Sequence, residues 1–214
     1  MKKLLILIFL YPLLSFSQSV DTIIVTTIYK SYFSNVLHEP LYVSYKIYKS
    51  GGDCSRSGMT FNNDIKELTT ATNKDYVKTG YDEGHLANAA DFSKNCEEEK
   101  ITFKFYNCLP QTPNLNRGVW KEWETTIRKE SQNDSILIIC GGNFTKINYL
   151  GSTNEIKNID KIAIPDYCWK VTMSLSSKKV THVLYFTNTT VANCMEIDLI
   201  TLEKLLKYKI PLVY

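Results

Sequence analysis

Along the 214-residue chain, the spacing of apolar positions changes from a strand period to a helix period and back. Asp21 to Tyr29, DTIIVTTIY, is dense in β-branched residues and predicts a strand; Leu41 to Tyr48, LYVSYKIY, alternates and predicts another. His38, Glu39 and Pro40 mark a loop between them. Ser50 to Asn63 is rich in glycine and polar residues and predicts an irregular loop over the sheet, followed by a polar stretch with short helical turns over Ile65 to Tyr76. Asp91 to Lys100 predicts a short acidic surface helix, and Ile101 to Cys108, ITFKFYNC, an aromatic strand. From Asn116 to about Ser131 the period is helical, with Val119, Trp123 and Ile127 on the core side. Ser135 to Cys140, SILIIC, predicts a buried strand stopped by Gly141 and Gly142. Further strands are expected over Ile162 to Pro165, Tyr167 to Leu175 and Val180 to Asn188, with a hairpin turn at Ser176 to Lys179. An amphipathic helix over Asp198 to Lys209 closes the pattern. Strands at both ends around a central helix predict an α+β domain, a mostly antiparallel central sheet with packed helices.

The length suits one domain, and no repeat or linker divides it. The first residues change the picture at one end. Lys2 and Lys3, an apolar run from Leu4 to Leu14 and the small residues Ser15 and Ser17 predict a cleaved secretory signal peptide over residues 1–17, leaving 18–214 as the domain. The expected location is secreted or periplasmic, with no membrane association after cleavage. The formal charge of +3 falls to +1 without Lys2 and Lys3, so any attraction for polyanions must come from local clustering or from a metal. Six cysteines, Cys54, Cys96, Cys108, Cys140, Cys168 and Cys194, form an even set. In an exported protein an even set points to disulfides, but Cys140 and Cys168 sit in strand-like runs where buried free thiols fit equally well.

Two segments carry the candidate chemistry. The first is Thr79 to Phe92, TGYDEGHLANAADF, in which Gly84 precedes His85 and would let the backbone turn to present the imidazole. The second is Asn107 to Lys129, NCLPQTPNLNRGVWKEWETTIRK, where Asn116, Trp120, Glu124 and Arg128 follow at four-residue steps along one flank of the helix. Each has a structural alternative. Asn116 could cap the helix, and Glu124 with Arg128 could be a surface pair. Arg56 could be a solvated loop arginine. Asp82 is expected to brace its neighbours, Trp120 to lie in the core, and His38 and His182 to be structural.

These two segments together, GYDEGHLANAADF and NCLPQTPNLNRGVWKEWE, resemble the DNA/RNA non-specific endonucleases, the ββα-metal (His-Me finger) nucleases of the Serratia nuclease and endonuclease G type. The resemblance covers roughly residues 42–128. It implies a ββα-metal nuclease fold and a magnesium-dependent endonuclease, with manganese as the alternative metal, acting on DNA and RNA substrates and leaving 5′-phosphorylated ends. It assigns His85 as general base, Asn116 as the direct metal ligand, Glu124 as the holder of metal-bound water, and Arg128 and Arg56 as phosphate contacts. An inhibitor protein in the producing cell is a candidate partner. The competing reading is a catalytically weakened binding module of the same fold. In the family an Arg, sometimes a Lys, precedes the Gly-His pair, and here Glu83 stands in that place.

Overall fold

A computed structural model of the chain describes residues 18–145, 148–149 and 162–212; the leader expected over residues 1–17 lies outside them. The strands are β1 (Thr22–Val25), β2 (Tyr29–Ser34), β3 (Glu39–Ile47), β4 (Asp82–His85), β5 (Cys108–Gln111), β6 (Ile136–Asn143), β7 (Asn148–Tyr149), β8 (Ala163–Ile164), β9 (Tyr167–Ser174), β10 (Lys179–Thr187) and β11 (Cys194–Glu196). The helices are α1 (Asn73–Tyr76), α2 (Cys96–Ile101), α3 (Trp120–Glu130) and α4 (Leu199–Leu206). Seven strands form one antiparallel sheet in the order β1-β2-β3-β6-β9-β10-β11. β4 and β5 form a separate antiparallel ribbon, and β7 pairs with β8.

The two faces of the sheet carry different helices. α3 lies on one, where Trp120 meets Phe186 edge-on at 5.0 Å and Trp123 meets His182 at 5.0 Å. α4 lies on the other, where Tyr208 stacks on Tyr42 at 5.9 Å and Tyr42 meets Trp169 at 6.2 Å. α4 starts where Asp198 accepts the Thr201 N–H at 2.8 Å, an N-cap that satisfies one of the free donors of the first turn. His182 keeps the structural role expected of it: its ring nitrogens bond Glu130 on α3 at 2.9 Å and Glu196 on β11 at 3.1 Å.

Four expectations are corrected, each for a local reason. Asp21 to Tyr29 is a hairpin, not one strand, because the Thr26 hydroxyl accepts the Tyr29 N–H at 2.9 Å and donates to the Tyr29 carbonyl at 2.8 Å, closing a turn in the middle of the run. Glu39 and Pro40 belong to β3; Pro40 stands opposite Phe33 at a register shift, where a missing N–H is tolerated. Ile101 to Cys108 is not a strand. Buried Asn107 donates to the Ala87 and Thr102 carbonyls at 2.9 Å and accepts the Ala87 N–H at 2.8 Å, which folds Phe105–Asn107 into a 3-10 turn. Finally, β6 runs through Gly141 and Gly142 to Asn143. A Cβ on Gly141 would lie 2.0 Å from the Leu41 carbonyl oxygen and 2.8 Å from Tyr42 Cα, so glycine here admits the neighbouring strand.

Gly141→Ala should therefore destabilise the protein by at least the roughly 1–3 kcal/mol typical of overpacking, because backbone cannot rotate aside as a side chain can. Urea unfolding measures this; a midpoint equal to that of the parent would contradict the close approach.

Candidate functional site

The site is built where the β4/β5 ribbon meets the start of α3. Asp82, Glu83, Gly84 and His85 pair with Gln111, Pro110, Leu109 and Cys108. The expected turn before His85 is thus a strand, and Gly84 has a different purpose: a Cβ there would lie 2.3 Å from Gln111 Oε1. Nor is His85 presented free of packing. Its ring lies 4.5 Å from Phe61 and 4.7 Å, edge-on, from Phe103. This apolar setting, and to a lesser degree the charge of Arg56, lowers the imidazole to about 3. At neutral pH the ring is uncharged, and its Nε2 has no hydrogen-bond partner among the described residues.

Asn116 arrives on a π-helical turn, Leu115–Val119, that leads directly into α3. It does not cap the helix. Its Nδ2 donates to Asp82 Oδ2 at 3.0 Å, which fixes the amide and leaves its oxygen as an acceptor. Arg117 grips the same carboxylate through Nε at 2.7 Å and Nη2 at 2.6 Å. Although burial acts in the opposite sense, the bonds from Arg117 and Asn116 hold Asp82 below its ordinary pKa. The bracing role expected for Asp82 is what the geometry contains.

Two turns beyond Asn116, on α3, the Glu124 carboxyl is raised to about 7 by burial, with the nearby Asp91 charge adding to the effect and Lys170 and Arg128 opposing it. Lys170 Nζ lies 3.9 Å from Glu124 Oε1. Arg128 does not bond Glu124 as the four-residue spacing suggested; its Nε donates to buried Asp91 at 2.8 Å. Asp91, expected on a surface helix, instead ends a 3-10 turn inside the protein. Arg56 Nε donates to buried Glu99 of α2 at 2.8 Å, and the loop bearing Arg56 is stapled to the same helix by a Cys54–Cys96 disulfide. The other four cysteines are free.

Arg56, His85, Asn116, Glu124 and Arg128, the five residues singled out in the sequence, line one cavity of about 380 Å³, together with Asn88, Arg117 and Lys121. Sequence reasoning did not find the groups behind them, Glu99, Asp91 and Lys170, since nothing in local spacing marks a residue as a buried counterion. Glu83 lines an adjoining cleft with Tyr76, Tyr81 and Asp82. It pairs with neither Arg56 nor Arg117, which are engaged by Glu99 and Asp82. Burial and the charge of Asp82 raise its pKa.

An antiparallel ribbon ending in a histidine, with a helix whose opening turn carries an asparagine to it, is the ββα-metal nuclease architecture. The family model described as DNA/RNA non-specific endonuclease matches residues 14–210, and the chain belongs to that family. A nuclease of Nostoc sp. is 36% identical over 104 residues, which cover 48% of this chain and 35% of that protein. Mitochondrial endonuclease G of Bos taurus is 34% identical over 93 residues, 42% of this chain and 31% of that one. Mitochondrial nuclease EXOG of Danio rerio is 28% identical over 130 residues, 58% and 38% of the two chains. The chain thus spans about a third of the length of the curated relatives it matches. A chain in the crystal structure of the EndoG/EndoGI complex, described as giving the mechanism of EndoG inhibition, shares the fold. Its TM-score is 0.73 at 19% identity, covering 86% of this chain and 83% of that one.

Because Glu124 is raised in the folded protein, the native state binds its proton more tightly than the unfolded chain does. The stability associated with the neutral carboxyl is present at low pH and is lost as pH rises from about 4.5 through about 7. Glu124→Gln, which mimics the neutral form, should melt higher than the parent at pH 8 by an amount on the order of 1–3 kcal/mol, and the gain should vanish at pH 5. Thermal melts at the two pH values test this; a pH-independent difference would refute it.

Proposed function

We propose that this protein is an exported, divalent-metal-dependent endonuclease that hydrolyses phosphodiester bonds of DNA and RNA with little regard to sugar or sequence. The observation that supports the reading most is the convergence of His85, Asn116, Glu124, Arg56 and Arg128 on a single cavity. The donor set fits a hard cation. Among the described residues no three His, Cys, Asp or Glu side chains gather into a metal cage, so a cation at this site would rely on the Asn116 amide oxygen, with water held by Glu124 filling the remaining positions. Magnesium, which prefers oxygen and keeps several waters, suits that set, and manganese is the alternative. When bound, the cation supplies charge neutralisation at the phosphoryl oxygens and acidic water for the departing oxygen.

The chain's own residues do the rest. Asp82 keeps the Asn116 amide nitrogen occupied, so its oxygen is the atom offered to the cavity. Arg56 and Arg128 flank the cavity with positive charge fixed by Glu99 and Asp91, positions from which they can hold a phosphate. His85 takes the proton from an attacking water. Its imidazole is neutral over the whole working range, and an incoming phosphate, by placing negative charge beside it, raises its affinity for that proton. Export is supported by the leader pattern and by the disulfide, which persists in an oxidising compartment; the place of action is then the periplasm or the medium. An inhibitor protein in the producing cell remains part of the proposal, in keeping with the inhibitor complex described for the EndoG neighbour.

Purified parent protein should degrade plasmid DNA and RNA with magnesium and stop on chelation. His85→Ala should lose about 10²–10⁴-fold in rate, the usual contribution of a positioned base, with unchanged circular dichroism. A variant that cuts like the parent would remove His85 from the mechanism, and a parent inert on both nucleic acids would favour the binding-module reading.

Glu83 offers a separate check. With no ion-pair partner among the described residues, its carboxylate adds negative charge to the strand that carries His85, so Glu83→Arg should raise activity at moderate salt and steepen the dependence of affinity on salt. Equal or lower activity across a salt series would show that this charge does not oppose phosphate.

A further inference from the structure

Lys170 is fully buried in β9, a central strand between β6 and β10, where a cation is costly and an apolar side chain would pack without penalty. Its Nζ makes no hydrogen bond among the described residues. It stands 3.9 Å from the Glu124 carboxylate and over the face of Trp120, whose ring centroid is 4.2 Å away, and its charge also bears on Asp91. Both belong to α3, and they stand four residues apart on the flank that faces the sheet and the cavity. The remaining ionisable groups around Glu124 come from every element packed there. Arg128 on α3 is committed to Asp91 of the 3-10 turn at 2.8 Å. Cys140, which stands opposite Lys170 on β6, and Tyr45 on β3 are both raised by burial and stay neutral. Arg128 also bears on Glu124, but its hydrogen bond goes to Asp91, and among the described residues the cation in ion-pair reach of the Glu124 carboxylate is Lys170.

We propose that Lys170 is a positioning residue of the site: from behind, its buried ammonium fixes the Glu124 carboxylate so that this group meets the cavity as an anion. Three features support this over a purely structural role. The ammonium lacks the hydrogen bonds that a structural buried lysine acquires. It is set against one oxygen of a carboxylate that also lines the cavity. And its charge acts on Glu124 in the sense that favours ionisation, against burial and Asp91. The inference deepens the nuclease reading and rests on it only for its kinetic consequence.

The test compares Lys170→Met, which keeps bulk and removes charge, with Lys170→Arg, which keeps charge. In the metal-free protein, carboxyl ¹³C NMR should show the Glu124 midpoint in Lys170→Met displaced upward by about one unit, and calorimetry should show Mn²⁺ binding weakened about tenfold. On plasmid DNA, kcat at pH 7 should fall about tenfold with KM little changed, the acid limb of the pH profile should move to higher pH, and Lys170→Arg should recover part of each effect. A folded Lys170→Met with the parent's Glu124 midpoint and Mn²⁺ affinity would overturn the proposal. If Lys170→Met does not fold, the Glu124→Gln/Lys170→Met double variant decides. Folding as well as Glu124→Gln supports a role exerted through Glu124, and failure to fold shows a requirement for Lys170 independent of it. A parent without nuclease activity would sink the nuclease reading alone, because the NMR and Mn²⁺ measurements still read the coupling.

Discussion

The arrangement depends on how α3 is anchored. A helix can offer an amide, a carboxylate and a guanidinium to one cavity only if another part of its surface is held hard against something rigid. Trp120 supplies that hold. It is almost wholly buried, lies edge-on to Phe186 of the sheet, and sits on the same four-residue ladder as Asn116, Glu124 and Arg128. Ile127, also buried, extends the contact toward the end of the helix, and the Glu130–His182 bond ties its last turn to β10. Packing thus fixes the rotation of α3 about its axis, and that rotation decides which side chains meet His85.

A second constraint is electrostatic. Five polar groups facing the cavity have a partner of matching character behind them: Asp82 for Asn116 and Arg117, Glu99 for Arg56, Asp91 for Arg128, Lys170 for Glu124. Removing Lys170 or Asp91 would leave Glu124 or Arg128 charged in a poorly solvated place, where the penalty exceeds what an exposed pair is worth, whereas Arg56 and Arg117 are open enough to water to lose less. His85 is the exception, surrounded by Phe61 and Phe103, and burial keeps it uncharged. Charged groups held by counterions thus stand next to a base that apolar contact keeps neutral, while Glu124, raised to about 7, is the group of the site that titrates near neutral pH.

The chain reveals much of this before its coordinates are known, but unevenly. The helical ladder from Asn116 to Arg128 and the strands of the second half, β9 and β10, could be read because each is a long run with a clear pattern of residue types. The errors fell where one side chain overrides the local pattern: Thr26 closing a hairpin inside a β-branched run, Asn107 folding an aromatic run into a turn, Gly141 letting two strands approach where glycine usually ends one. The turn expected before His85 failed for a related reason, since the space that requires Gly84 is filled by Gln111 from another strand. Counterions were illegible for a deeper reason. Glu99, Asp91 and Lys170 have the ordinary sequence surroundings of surface residues, and only the tertiary fold turns them inward.

Net charge misleads about polyanion binding for the same reason. Once Lys2 and Lys3 are set aside the chain is close to neutral, yet Arg56, Arg117, Lys121 and Arg128 line a single cavity. Three of these cations are paired at distances of 2.6 to 2.8 Å with carboxylates behind them, so the far field nearly cancels while the positions of the guanidinium groups are fixed. At physiological ionic strength charges more than about 8 Å apart are largely screened in any case. A ligand at the cavity mouth therefore senses the nearest guanidinium groups and not the total. On the nuclease reading, such a site gives up long-range steering and keeps short-range, hydrogen-bonded capture of phosphate. If the protein is exported, as proposed, that balance suits surroundings where a strongly basic surface would adhere to every polyanion it met.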